Sequence, residues 1–201
     1  MTLKERILSQ KLRAGYSLSE VDLAKELGVS RTPVREALLR LQKDMLLEIV
    51  PNRGAHVTFI TLQDLKDTFQ VLQILEGAAA RVAADQIDQA KLSELEKEFI
   101  ALQKKGNIID YKEEQGIGLQ LHELVLQATG NGRMIDILQG IREQIRTLCL
   151  NSIKRPGRAN EAIEEHLKVI SALKNRDGLA AENAMVAHVI NVYRNLLEFM
   201  G

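Results

Sequence analysis

Four histidines occur among the 201 residues of the chain, and three share one kind of setting. His122 is accompanied at helical spacing by Leu119, Val125 and Leu126, His166 by Ile163 and Ile170, and His188 by Ala184, Met185 and Val192. Each imidazole is therefore expected on the apolar face of its own helix, directed inward. Neutral imidazole is a costly core filler unless its nitrogens are paired. For any one of the three, a hydrogen-bonded core histidine explains the pattern. Three on three helices match the ligand set of a zinc-like site with open coordination positions. His56 stands apart on a β-prone run, where a surface role or a phosphate contact is expected. Glu76, Glu164 and Glu165 offer carboxylates, but no spacing marks any of them as a general base. Cys149 reads as core packing, and Arg142 with Arg146, one turn apart, reads equally well as a salt-bridged surface pair.

A second chemistry lies in LAKELGVSRTPVREALLRL, Leu23 to Leu41. Gly28 can close one helix in the left-handed conformation. Ser30 is placed to cap the next, and Pro33 falls in its first turn, where a missing N–H costs little. Val34, Ala37, Leu38 and Leu41 recur at helical spacing and are expected to face a core. Thr32, Arg35, Glu36, Leu39 and Lys43 then point outward, with Arg31 at the helix start. Arginine can donate two hydrogen bonds to the edge of guanine, and threonine can meet a phosphate or a thymine methyl. A polar helix held by a narrow apolar stripe is what major-groove reading requires.

These side chains need elements to hold them. Thr2 and Glu5 form a capping-box pattern for a first helix carrying Ile7, Leu8 and Leu12; Ala14-Gly15-Tyr16 ends it, and Ser19 with Asp22 opens the next. After the arginine-bearing helix, residues 46–50 and 56–59 are β-prone runs around Pro51-Asn52-Arg53-Gly54-Ala55, which reads as a hairpin. Three helices and a hairpin make a winged helix-turn-helix. Thr61 and Asp64 can cap a further helix, with Ile60 and Leu65 placed as a hydrophobic staple. From there the sequence predicts six helices, about 62–86, 88–105, 108–128, 131–154, 159–175 and 178–199, punctuated by Gly106, Gly130-Asn131, Pro156-Gly157 and Asp177-Gly178. The expected fold is mainly α: an N-terminal winged helix-turn-helix over 1–60, then an all-α antiparallel six-helix bundle over 61–201.

Composition bounds this reading loosely. The formal net charge is zero, but residues 1–60 hold ten Lys and Arg against seven Asp and Glu, a mild positive bias. A single cysteine excludes an internal disulfide framework. No segment reads as a signal peptide or a membrane span, so a cytoplasmic protein without membrane contact is expected.

Residues 1–60 resemble the winged-helix domain of the GntR family of bacterial transcription regulators, whose members often read LAxxLGVSRTPVREALxRL followed by a PNRGAxV wing; this chain has LAKELGVSRTPVREALLRL and PNRGAHV. The resemblance implies DNA contacts at Arg31, Thr32 and Arg35, and at the wing through Arg53, Gly54 and His56. Met45 stands where a glycine is usual, and the first helix is short. Residues 62–199 resemble the FCD ligand-binding domain of the FadR subfamily in its six-helix, VanR-like form. That family commonly binds a divalent metal through an Asp-x-x-x-His pair and two later histidines, matched here by His122, His166 and His188. The aspartate position is Gly118, which removes an anionic ligand and leaves a gap in the helix face. An arginine usual on the first bundle helix is replaced by Leu72. The resemblance places effector contacts near Arg142 and Arg146.

The expected function is a homodimeric regulator that binds a palindromic operator in double-stranded DNA, its affinity modulated by a small-molecule effector such as an organic acid, assisted by a divalent metal, zinc or nickel. Two rivals stand beside it: a constitutive DNA-binding dimer with a vestigial or purely structural bundle pocket, and a metal-dependent hydrolase fused to a DNA-binding domain. No partnering acid or base supports the latter.

Overall fold

The computed structural model describes residues 2–8, 11–43, 46–50, 54–58, 61–106, 111–152 and 155–200. Two compact units separate, Met1–Leu65 with Arg142–Thr147, and Lys66–Ile141 with Leu148–Gly201.

The first unit runs α1 (Leu3–Leu8), β1 (Ser17–Leu18), α2 (Glu20–Leu27), α3 (Arg31–Lys43), β2 (Leu47–Val50) and β3 (Gly54–Val57). Thr2 and Glu5 exchange hydrogen bonds at the start of α1, each side chain accepting from the other's backbone N–H. Ser19 caps α2 by accepting from the Asp22 amide. Gly28, at φ +66°, closes α2 with its N–H bonded to the Ala24 carbonyl, a left-handed turn that a Cβ would strain. Val34, Leu38 and Leu41 of α3 are buried with Ile7, Leu12, Leu18, Leu23, Leu47 and Val57. Ala37, expected on that face, is exposed. Helical rotation sets it to one side of the stripe centred on Val34, Leu38 and Leu41, and a methyl is too short to reach back.

The hairpin of β2 and β3 pairs Leu47 with Val57, Glu48 with His56 and Val50 with Gly54. A third strand joins it: β1 pairs antiparallel to β3, Ser17 opposite His56, giving the order β1-β3-β2. Strand β1 has no signature in the sequence. Two residues carry no period, and their pairing partner lies far along the chain. Met45, Pro51, Asn52, Arg53 and Ile60 lie outside the described residues.

Six further helices follow, α4 (Leu62–Gln86), α5 (Gln89–Lys104), α6 (Tyr111–Ala128), α7 (Gly132–Ser152), α8 (Arg158–Lys174) and α9 (Gly178–Met200), which make up the second unit except for the first residues of α4 and Arg142–Thr147 of α7. These six are the expected six, with ends shifted by a few residues. The cap of α4 forms as the sequence implies: the Asp64 amide donates to Thr61 Oγ1 at 3.0 Å and the Thr61 amide to Asp64 Oδ2 at 2.9 Å. The Thr61 hydroxyl bond holds the Asp64 carboxyl below its ordinary value. Asp88 caps α5 and Asn131 caps α7. Between α8 and α9 the chain turns through Arg176, at φ +55°, and Asp177 accepts from the Ala180 amide.

Helix α8 packs against α5, α6 and α9, and α5 against α6. Phe99, Leu92, Leu102, Leu121, Ile163, Ile170 and Leu173 fill the interior. At Gly77 of α4 a Cβ would stand 2.7 Å from Val186 Cγ2 of α9, so these helices meet at a glycine. Among the described residues no helix is long and apolar enough to cross a membrane.

Candidate metal centre and nucleic-acid interface

α6, α8 and α9 bring His122, His166 and His188 together, with one candidate donor atom from each lying within 4.8 Å of the others. His166 and His188 are buried and His122 is half-buried. Val125, Leu126, Ile163, Ile170 and Met185 are buried around them, but Leu119, expected beside His122, is 46% exposed. It sits three residues before His122, on the flank of α6 turned from the core.

Each imidazole has a glutamate behind it. Glu76 of α4, 2% exposed, places Oε2 at 3.2 Å from His122 Nδ1. Glu165 Oε2 lies 2.8 Å from His188 Nδ1. Glu114 of α6, 1% exposed, places Oε1 at 3.3 Å from His166 Nδ1, yet both His166 nitrogens and Glu114 Oε2 are buried without a hydrogen-bond partner. Carboxylates behind imidazoles orient the rings, so that Nε2 remains available as a ligand.

Glu165 is surrounded by donors. Arg158, 3% exposed, donates to both its oxygens at 2.7 and 2.8 Å, and Asn191 Nδ2 lies 3.0 Å from Oε1. Burial alone would raise the Glu165 carboxyl, but the Arg158 and His188 hydrogen bonds and the guanidinium charge outweigh it and hold it at about 2. Burial, reinforced by the neighbouring His166, pushes His188 down to about 3, so its ring is neutral at pH 7. An ionised Glu165 can only accept, so the proton of neutral His188 belongs on Nδ1 and its Nε2 is a bare lone pair. Glu76 lies against Nδ1 of His122, and the Nε2 atoms of His122 and His188 stand 3.3 Å apart. Two nitrogens bound to one tetrahedral zinc at bond lengths of about 2.0–2.1 Å stand at about that separation. The residues therefore fit a divalent cation, which His122, His166 and His188 would hold.

Gly118 is not an open gap. A Cβ there would lie 2.8 Å from His166 Cε1 and 3.4 Å from Nε2, so the His166 ring already fills the space. Leu72 is buried, and Arg142 is half-buried on α7, while the Arg146 side chain lies outside the described residues. A polar cavity of about 310 Å³ opens between α8 and α9, where Arg155, Lys168 and Arg194 supply cations and Glu165 forms part of the wall; Arg142 does not line it. Burial pushes the Cys149 thiol up to about 12, against the opposing charge of Arg158, which suits the packing role expected of it. Composition and motifs offer Glu76 and Glu165 without a role and do not mark Glu114 or Arg158. The signal for both was helical spacing: Glu114 precedes Gly118 by four residues and Arg158 precedes Glu165 by seven.

In the first unit, α3 presents Arg31, Thr32 and Arg35 to solvent. Arg31 donates to Glu20 Oε2 of α2 at 3.1 Å, and Arg35 Nε lies 4.0 Å from Glu20 Oε1, the two arginine side chains remaining 67% and 73% exposed. Gly54 opens β3 at φ +82°. His56 sits mid-strand between Ser17 and Glu48, half-buried.

Residues 1–57 match the model of the gntR family of bacterial regulatory proteins, and residues 67–191 match that of the FCD domain. The chain is 29% identical over 194 residues to the HTH-type transcriptional repressor RspR of Escherichia coli, covering 93% of this chain and 82% of RspR. It is 28% identical over 187 residues to the HTH-type transcriptional regulator YdhC of Bacillus subtilis, covering 92% and 84%. Among solved structures, E. coli McbR/YncC shares the fold at a TM-score of 0.75 and 22% identity, over 99% of this chain and 95% of that one. A metal-free FCD domain of TM0439 shares it at 0.58 and 19%, over 68% and 93%. RspR and YdhC are both named as HTH-type transcription regulators. With both family models matched in series, this chain belongs to the GntR family of DNA-binding transcription regulators and carries an FCD domain behind its winged helix-turn-helix.

Proposed function

We propose that this regulator acts as a homodimer on a palindromic operator, and that a small organic acid, held with the help of a divalent cation in the helical bundle, sets its affinity for DNA. The observation that carries the reading is the convergence of three imidazoles whose outer nitrogens meet glutamates while the Nε2 atoms of His122 and His188 face each other at 3.3 Å. Zinc or nickel suits such imidazole donors. A bound cation would supply coordination positions and positive charge for an anionic ligand. The chain's own part is to orient the rings through Glu76 and Glu165, to keep His188 neutral, and to pack the buried Phe99 against the His166 ring.

Dimerisation is supported by geometry and by surface. One recognition helix reads too few base pairs to select a genomic site, and a two-fold pair doubles the half-sites. Val71, Ile74 and Val82 lie along one flank of α4 with 43%, 70% and 43% exposure, an apolar strip suited to a second copy. Arg31, Thr32 and Arg35 are the base and phosphate contacts of this reading, with the wing at Arg53, Gly54 and His56. Arg142 and Arg146 remain candidate effector contacts.

The test combines elemental analysis of protein purified without chelator with fluorescence anisotropy on a DNA site selected from random sequence. A regulator of this kind carries about one equivalent of zinc or nickel, and a panel of organic acids shifts its DNA affinity only in the metal-loaded form. Metal-free protein whose DNA binding ignores every acid would instead favour the constitutive dimer.

A further inference from the structure

We propose that Glu114 supplies, through His166, the carboxylate that this chain's cation site lacks at Gly118. The inference rests on the metal reading of the bundle and concerns how this sequence accommodates a glycine on α6.

Three observations carry it. Glu114 is almost wholly enclosed, and its Oε2 has no hydrogen-bond partner. Both nitrogens of His166 are also buried without a partner, although Glu114 Oε1 stands 3.3 Å from Nδ1. A side chain at 118 would take the same volume: its Cβ would lie 2.8 Å from His166 Cε1 and 3.6 Å from Glu114 Oε1. The glycine is what lets the imidazole and the carboxylate occupy that side of the centre together.

A buried carboxylate and a buried imidazole that leave each other unsatisfied are unstable neighbours unless something completes them. Glu76 and Glu165 already lie against His122 and His188 at Nδ1. A cation on Nε2 of His166 places the remaining proton on Nδ1, where Glu114 is the nearest acceptor shown. A small turn of the ring then aligns that bond. The negative charge thus enters one turn earlier on α6 and, unlike a carboxylate at 118, acts on the cation across the His166 ring and its Nδ1–H rather than by direct ligation. Glu114 is in this sense a positioning residue, acting through His166.

The experiment uses the full chain stripped with chelator, titrated with Zn²⁺ against a chromophoric competitor, and with Co²⁺ for its visible spectrum. Glu114→Gln is expected to weaken Zn²⁺ binding about 10–100-fold, to keep the Co²⁺ band pattern of the parent, and to melt no lower than the parent when metal-free. Gly118→Asp alone is expected to weaken binding, because it displaces His166. The rival is a structural carboxylate held by the field of Arg158, whose charge interacts with Glu114. In that case Glu114→Gln lowers the melting temperature of the metal-free protein and leaves Zn²⁺ affinity unchanged, which overturns the proposal. Tighter binding by Gly118→Asp with unaltered affinity in Glu114→Gln overturns it equally. Failure of the parent chain to bind Zn²⁺ at all removes the metal reading and this inference with it, a result distinct from parent binding that Glu114→Gln leaves intact.

Discussion

At the scale of single residues, the two ends of the chain handle charge in opposite ways. Arg31 and Arg35 share one carboxylate, Glu20, while remaining mostly exposed. Such exposed pairs contribute little to stability, so their interest lies in DNA recognition. Arg35→Ala is expected to cost about 1–3 kcal/mol of operator binding and to relax discrimination at one base pair per half-site, read by anisotropy on single-base variants. An equal loss on all sequences would make it a phosphate contact. Glu20→Gln frees both guanidiniums and should strengthen binding to unrelated DNA more than binding to the operator, narrowing the ratio between them. In the bundle, burial and Arg158 decide protonation. The His188 value of about 3 lies below the ordinary 6.5, so the unfolded chain takes up this proton first as pH falls. Stability is therefore lost from about pH 6.5 downward, by about 2 kcal/mol at pH 5 for this site alone. Glu165, at about 2 against an ordinary 4.5, adds a loss between those values. Urea midpoints of the metal-free protein at pH 7.5, 6 and 5 measure the first part; a flat series would show that His188 titrates normally.

At the scale of elements, most helix ends follow from short-range chemistry and were visible beforehand. The Thr2–Glu5, Ser19–Asp22 and Thr61–Asp64 caps form where the sequence placed them, because the groups involved lie within one turn of each other. Strand β1 and the meeting of α4 with α9 were not visible, since each depends on a partner distant in sequence. Gly77 makes the second case testable. Alanine there would gain helix propensity, but its Cβ would meet Val186 Cγ2. Gly77→Val, with more atoms and a stiff rotamer, is expected to destabilise the protein by about 1–3 kcal/mol, measured by thermal or urea unfolding. No loss would mean that α9 yields at this point.

For the whole molecule, regulation requires that the ligand state of the bundle bias the DNA-reading unit, a difference in affinity that must be reciprocal. The start of α4 is one covalent connection between them. A Gly/Ser spacer inserted after Thr61 is expected to leave DNA binding in place and abolish the effector response; an unchanged response would exclude coupling through this connection. The two architectures and the exposed polar face of α3 were legible in the sequence, because helical period, caps and the LGVSRTPVREAL run are local and carry their meaning within a few turns. The sequence also brought three histidines to the inner faces of three helices. That their rings meet, that Glu76, Glu114 and Glu165 stand behind them, and that Arg158 keeps Glu165 ionised follows from the packing of the bundle. Gly118, which in sequence reads as a lost ligand, is in the fold the space that His166 fills. The meetings of the three rings and of each ring with its glutamate join residues on different helices; Arg158 and Glu165 share α8, but the burial that sets their charge exists only once the helices have packed.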